Sequence, residues 1–255
     1  MELKLVDSHA HLSDSAFETD LEQVILKARE NGLVAIIDSG LGKDGALRSL
    51  SISRRFEGYV YSTIGIDYGA PFLVDVEELK RLILDNRYRI IGIGEVGLDY
   101  YTVKKRDERA KLVDYFREFI DLSKKLDLPL IVHSRSAGRE AIEILLESGA
   151  RRVLMHAFDG KASHAMKGVE SGFFFSIPPS VVRSPQKQKL VNRLPIENIL
   201  LESDSPVLGV NPLERNEPAN IVFSLREIAR IKNLDLELVA EETTKNARRL
   251  FGLRI

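Results

Sequence analysis

The sequence predicts a single eight-stranded (β/α)8 barrel over residues 1–255, and three observations predict it. β-rich runs alternate with segments of helical spacing along the chain, the runs are continuously apolar, and residues able to bind a cation fall where the runs end. Parallel strands covered on both faces bury both sets of side chains, so they read as uninterrupted apolar stretches such as VAIID, RIIGIG, LPLIVH and RVLMH.

Taken in order, the strand-like runs are Leu3–Ser8, Leu33–Ser39, Val60–Ile66, Ile90–Val96, Leu130–Ser134, Val153–Ala157, Gly172–Ile177 and Ile199–Glu202. The FFFSIPP run is the weakest and leaves a seven-stranded variant open. Between the runs lie helical patterns: Leu112, Phe116, Phe119, Leu122 and Leu126 are 4, 3, 3 and 4 residues apart. A second pattern, Ile221, Leu225, Ile228 and Ile231, starts after Pro218, a residue suited to an early helix position. Gly32 and Gly149 follow apparent helices and precede strands, where a glycine can end a helix in the left-handed conformation. Eight alternations with no linker and no break in composition favour a closed barrel over a doubly wound sheet.

Composition restricts the function. With 44% hydrophobic and 29% charged residues, the chain can bury a full core. Lys+Arg number 37 against 38 Asp+Glu, a net charge of −1, so there is no global attraction to nucleic acid or to an anionic membrane, and any phosphate binding must be local. The absence of cysteine excludes disulfides and thiolate ligands, leaving imidazole and carboxylate to hold any metal. No apolar run approaches the roughly 20 residues of a membrane helix, and the start MELKLVDSHAH reads as neither a signal nor a transit peptide; the expected location is the cytoplasm.

The chemistry collects at the carboxyl ends of the runs, where barrel enzymes place their active sites. His9 and His11, two apart in VDSHAH, can both face the barrel mouth. Glu95 ends the fourth run, His133 the fifth and His156 the sixth, and Asp204 follows the eighth. His164, in KASHAMKGV, falls outside this pattern and reads as a surface or packing residue. A carboxylate such as Glu95 in an apolar run is costly unless it is paired or bound to a cation. Four imidazoles and two carboxylates exceed the three protein ligands of a mononuclear catalytic zinc site and suit two divalent cations, with Zn²⁺, Mn²⁺, Fe²⁺ and, less readily, Mg²⁺ as candidates. The cluster Ser203-Asp204-Ser205 lacks the glycines of a nucleophile elbow and does not read as a serine triad.

At DSHAHL (7–12), GEVGLDYY (94–101), PLIVHSR (129–135), LMHAFDG (154–160), LLESDSP (200–206), RNEPANI (215–221) and NARRLF (246–251), the chain resembles the TatD family of metal-dependent deoxyribonucleases, within the amidohydrolase superfamily. The resemblance implies one metal held by His9, His11 and Asp204, a second by His133 and His156, and Glu95 shared between them. It also implies that Asp204 orients or deprotonates the attacking water. The bridging position reads Glu95 where phosphotriesterase-like and urease-like relatives carry a carbamylated lysine. In one departure the chain reads GIDYGAP, with Asp67 where the resemblance implies the histidine of Gly-x-His-Pro, a residue expected to meet the substrate phosphate or a metal-bound oxygen. An aspartate there repels a phosphodiester unless it is protonated or bound to a cation.

Arg135, and Arg215 with Asn216 in the RNEPAN loop, are candidate phosphate contacts through planar donors, the alternative being surface ion pairs. Tyr100 and Tyr101 are candidates to stack on a base, or to pack in the core. The function expected from the resemblance is hydrolysis of DNA single strands or ends, from the 3′ side, by metal-activated water. The competing readings are a hydrolase of a small cyclic amide, lactone or phosphoester, and a barrel that binds metal without catalysis.

Overall fold

The computed structural model describes residues 3–68 and 70–255. Eight strands form one parallel sheet in chain order: β1 Leu5–Ala10, β2 Leu33–Leu41, β3 Val60–Gly65, β4 Ile90–Gly97, β5 Leu130–His133, β6 Val153–Met155, β7 Phe174–Ile177 and β8 Ile199–Leu201. Among the described residues the α-helices are α1 Leu21–Glu30, α2 Gly42–Arg55, α3 Val76–Asp85, α4 Arg106–Leu126, α5 Gly138–Glu147, α6 Ala162–Glu170, α7 Pro185–Arg193, α8 Ile221–Lys232 and α9 Leu236–Phe251. The architecture is the expected (β/α)8 barrel. Within these residues no helix is long and apolar enough to cross a membrane.

The strand left open by the sequence is present, and strand bounds shift by a few residues, most tellingly in β1. The FFFSIPP run is a full strand, with Phe174 and Phe175 opposite Leu154 and Met155 of β6, and its other edge on β8, so the seven-stranded variant does not occur. β1 starts at Leu5 and continues to Ala10, which pairs with Asp38 of β2, so His9 lies inside the strand. Gly32 and Gly149 take φ of 82° and 64° after α1 and α5, the left-handed endings that their positions predict.

Between β8 and β1, hydrogen bonds join the end of one strand to the continuation of the other. Ser8 Oγ donates to Leu201 O at 2.7 Å, Asp204 N to His9 O at 2.9 Å, and His11 N to Ser205 O at 2.8 Å.

Residues two apart on a strand share a face, and that periodicity stacks chemistry above hydrophobic floor. Ile131 lies under His133 on β5, and Leu154 and Leu200 come two residues before His156 and Glu202, which directly follow β6 and β8. The lower members join Val6, Ala35, Ile37 and Phe174 in an apolar cluster inside the barrel. Ala247, Leu250 and Phe251 of α9, with Leu253 beyond it, belong to the same cluster and close the amino-terminal end. Asn246 Nδ2 holds α9 there by donating to Ile196 O at 2.8 Å and Ile199 O at 2.9 Å. The outer faces of the strands pack on the surrounding helices in a second, larger core. Truncating the plug with Leu250→Ala leaves a cavity that cannot fully collapse; urea denaturation is expected to show a loss of about 3 kcal/mol, within the range for buried leucines.

Candidate metal centre

Six side chains converge at the carboxyl-terminal mouth. His9 Nε2 lies 3.1 Å from His11 Nε2, 3.4 Å from Asp204 Oδ1 and 3.4 Å from Glu95 Oε2. His11 Nε2 is 3.3 Å from Asp204 Oδ1 and 3.5 Å from Glu95 Oε2. On the other side of Glu95, its Oε1 meets His156 Nε2 at 2.9 Å and His133 Nδ1, and those two nitrogens are 3.2 Å apart. His9, Glu95, His156 and Asp204 are buried, and His11 and His133 are partly exposed toward the mouth. Asp204 reaches inward from a backbone with φ of 52°, a left-handed conformation that aspartate tolerates better than most residues.

Close approach of the strands brings Glu95 and His133 into the cluster, and glycines permit it. A Cβ on Gly65 would come within 2.1 Å of Glu95 N, and Ile66 N donates to Glu95 O at 2.8 Å. Gly97 has φ of 138°, and a Cβ there would sit 2.1 Å from His133 O. The two glycines let β3, β4 and β5 draw together where the ligand side chains emerge.

The donor set fits divalent cations. His9, His11 and Asp204 form one group whose donor atoms lie within 4.8 Å of one another, and His9, Glu95 and His156 form another; His133 adjoins the second through Glu95. Pairs of imidazole nitrogens face each other and carboxylate oxygens at once, and nitrogen and oxygen donors of this kind bind Zn²⁺, Mn²⁺ or Fe²⁺. Burial alone would disfavour every charge here. For His9, the penalty of burial and the nearby His156 are outweighed by Asp204 and Glu95, which lift its pKa to about 9. His133 and His156 are also lifted to about 9 against burial, chiefly by the charge of Glu95. Against burial, the imidazoles of His156 and His133 hold Glu95 well below the usual carboxylate range, and His11 and His9 lower Asp204. The centre is therefore a tight sink for positive charge, filled either by protons or by cations.

Outer partners aim the rings. His133 Nε2 lies 3.1 Å from Asp99 Oδ2 and His11 Nδ1 3.1 Å from Ser39 O, while behind His156 the Glu202 carboxylate stands 3.7 Å from Nδ1, close enough for charge but beyond hydrogen-bond distance. Glu202 is fully buried and accepts from Ala157 N at 2.8 Å and Ser176 Oγ at 2.6 Å. Such partners fix imidazole orientation and raise ligand basicity. The sequence reading missed Asp99 and Glu202, although Glu202 carries the signal that identified Glu95, a carboxylate ending an apolar run. It also missed Tyr68, whose ring stacks on His133 with centroids 4.5 Å apart.

The candidate substrate contacts separate. Arg135 is exposed beside the mouth, its guanidinium 3.8 Å from the centroid of the Tyr101 ring, and Tyr101 is 56% exposed. Tyr100 instead packs against the fold, donating its hydroxyl to Glu140 at 2.6 Å under Arg109. Arg215 is occupied in a bidentate pair with Asp20, at 2.8 and 2.6 Å, and donates to Ala16 O at 2.6 Å. Asn216 is 1% exposed and gives its amide hydrogens to Ser203 O at 2.6 Å and Val207 O at 2.8 Å, bracing the loop that carries Asp204. Asp67 is half-buried and lines a cavity of about 470 Å³ with Lys43, Arg48, Asp75 and Glu78, a cavity whose lining includes none of the six cluster residues. His164 is on α6, outside the cluster, and Ser203 and Ser205 bond to each other at 2.9 Å.

Fold and site together define a (β/α)8 barrel with a buried histidine and carboxylate centre, able to bind divalent cations, at its carboxyl-terminal mouth. Residues 6–252 match the family model described as TatD related DNase, and the chain belongs to that family. It is 42% identical to the human deoxyribonuclease TATDN3, covering 97% of this chain and 94% of the relative. It is 32% identical to YabD of Bacillus subtilis (strain 168), named a metal-dependent hydrolase, over 98% of this chain and 99% of that one. The crystal structure of the TatD homolog YjjV from Escherichia coli K12 superposes with a TM-score of 0.89 at 22% identity, covering 99% of both chains, a likeness of fold.

Two outcomes follow from this geometry. Gly97→Ala is expected to push β5 away from β4 and weaken cation binding tenfold or more, read by isothermal titration with Mn²⁺ or Zn²⁺. An imidazole raised from 6.5 to about 9 contributes stability that is complete below pH 6.5 and lost as pH rises through 9. In chelator the melting temperature is therefore expected to fall from pH 6.5 to pH 9, and saturating Mn²⁺, by replacing the protons, is expected to flatten that fall.

Proposed function

We propose that the chain is a metal-dependent deoxyribonuclease that hydrolyses phosphodiester bonds of single strands or ends, removing nucleotides from the 3′ side, with two divalent cations bound. The observation that carries this reading is the six-ligand cluster opening onto a cavity of about 570 Å³, lined by His133, Arg135, His156 and Asp204 among others. That volume lies in the ordinary range of ligand sites. The deoxyribonuclease name of the human relative supports DNA as the substrate.

His9, His11 and Asp204 would hold one cation, His133 and His156 the other, and Glu95, between the two sets of imidazoles, would serve both. Bound there, divalent cations supply Lewis acidity toward a phosphoryl oxygen and lower the pKa of water. Asp204, ionised at neutral pH, orients the attacking water and accepts its proton as the bond to phosphorus forms; the ester bond from phosphorus to the leaving deoxyribose oxygen breaks, and that oxygen takes a proton from solvent water. Arg135 neutralises charge on the phosphate, and the exposed Tyr101 beneath it offers a stacking face to a base.

The test is incubation with end-labelled single-stranded and duplex oligonucleotides in Mg²⁺, Mn²⁺, Zn²⁺ or chelator. Cleavage is expected only with cation, shortening strands from the 3′ end. Glu95→Gln is expected to lose at least the roughly hundredfold that removing an outer partner of a metal ligand can cost. No cleavage under any cation, or turnover of lactones and cyclic amides alone, would overturn the proposal.

A further inference from the structure

The cavity beside the metal centre holds a second cationic side chain, Lys187, in addition to Arg135. Lys187 occupies the first turn of α7, where Pro185 is the first residue and Ser184 Oγ accepts from Lys187 N at 3.3 Å. Its Nζ donates to the carbonyl of Ala157, next to His156, at 3.0 Å. The neighbouring Gln186 amide is tied to Gly160 O at 2.7 Å, so this wall is fixed to the β6 loop.

Among the described residues neither Lys187 nor Arg135 has a carboxylate at ion-pair distance; Lys187 bonds to a carbonyl, and Arg135 lies over a tyrosine ring. Several cations on the outer surface are matched by carboxylates. Lys43 pairs with Glu78, Lys27 with Glu217 at 2.6 Å, and Arg215 with Asp20 at 2.6 Å. Burial lowers the pKa of Lys187, and the carboxylates of Glu202, Asp204 and Asp159 counter that from beyond ion-pair distance; a cationic group with no direct ion pair, on the wall of a cavity that contains His133, His156 and Asp204, is placed to meet an anion entering that cavity. A partly enclosed ammonium, with few waters to displace, binds a phosphate oxygen more strongly than a fully solvated one.

We propose that Lys187 is a phosphate-binding residue, gripping a non-bridging oxygen of the polynucleotide backbone opposite Arg135, so that the strand enters over the β5 to β7 side of the mouth. This rests on the deoxyribonuclease reading. Lys187 touches the backbone and not the bases, so it sets affinity without sequence preference.

The test compares wild type, Lys187→Gln, Lys187→Arg and Lys43→Gln by fluorescence anisotropy with labelled single-stranded DNA in chelator, and by steady-state cleavage with Mn²⁺. Lys187→Gln is expected to weaken binding about tenfold and raise KM in proportion, with a smaller change in kcat. The slope of log affinity against log salt is expected to shrink by about 0.7, the share of one phosphate contact on a single strand. Lys187→Arg is expected to restore most of the affinity, Lys43→Gln to behave as wild type, and bound Mn²⁺ to be equal in all four proteins. Unchanged affinity and salt slope in Lys187→Gln, with wild type still cutting DNA, would overturn the inference; so would a defect that merely tracks lost Mn²⁺. If wild type neither binds nor cuts DNA, the deoxyribonuclease reading fails and the inference falls with it.

Discussion

The hydrogen bonds between the end of β1 and the segment after β8 are the constraint on which the site depends. Asp204 N reaches His9 O, His11 N reaches Ser205 O, and Asp7 accepts from Ser203 N at 2.8 Å. These bonds close the barrel and bring residues nearly 200 positions apart in the chain to within 3.4 Å of one another. One set of contacts thus completes the fold and assembles one half of the ligand set. Burial of Asp7 raises its pKa to about 7 against the hydrogen bonds from Ser203 and His9, so this lock is built around a carboxyl that is costly to ionise.

The other half depends on backbone proximity. Gly65 and Gly97 are not ligands, yet a methyl group at either would occupy the space of the neighbouring strand's backbone. The segment GEVGL therefore has two duties: Glu95 supplies charge, and Gly97 supplies the space that sets His133 beside it. Once assembled, the cluster gathers carboxylates whose charge must be balanced, and the raised imidazole pKa values record how strongly it seeks positive charge.

The barrel and the position of its chemistry could be read from the sequence because both have periodic signatures. Continuous apolar runs mark strands buried on two faces, and a histidine or carboxylate ending such a run has to face the mouth or carry the cost of burial. Residues on loops were less legible. Arg215 and Asn216 look like substrate contacts in a sequence, but their partners Asp20, Ser203 and Val207 are set by how the loops fold over the rim, and no local pattern specifies that. Lys187 was missed for the same reason: it lies at the start of a polar helix, and only packing against the β6 loop turns it toward the cavity. Asp99 and Glu202 could have been found by asking which acid stands behind each histidine.

The α9 plug also decides how the centre communicates with solvent. Ile131, Leu154, Leu200 and Phe174 form an apolar floor, and Leu250, Phe251 and Leu253 pack in the same cluster beneath it. Water, protons and cations must then come and go through the same opening that admits substrate. A polymer lying across that opening would cover the exit of the ions beneath it, so occupancy by substrate and retention of the ions become linked by the shape of the barrel alone.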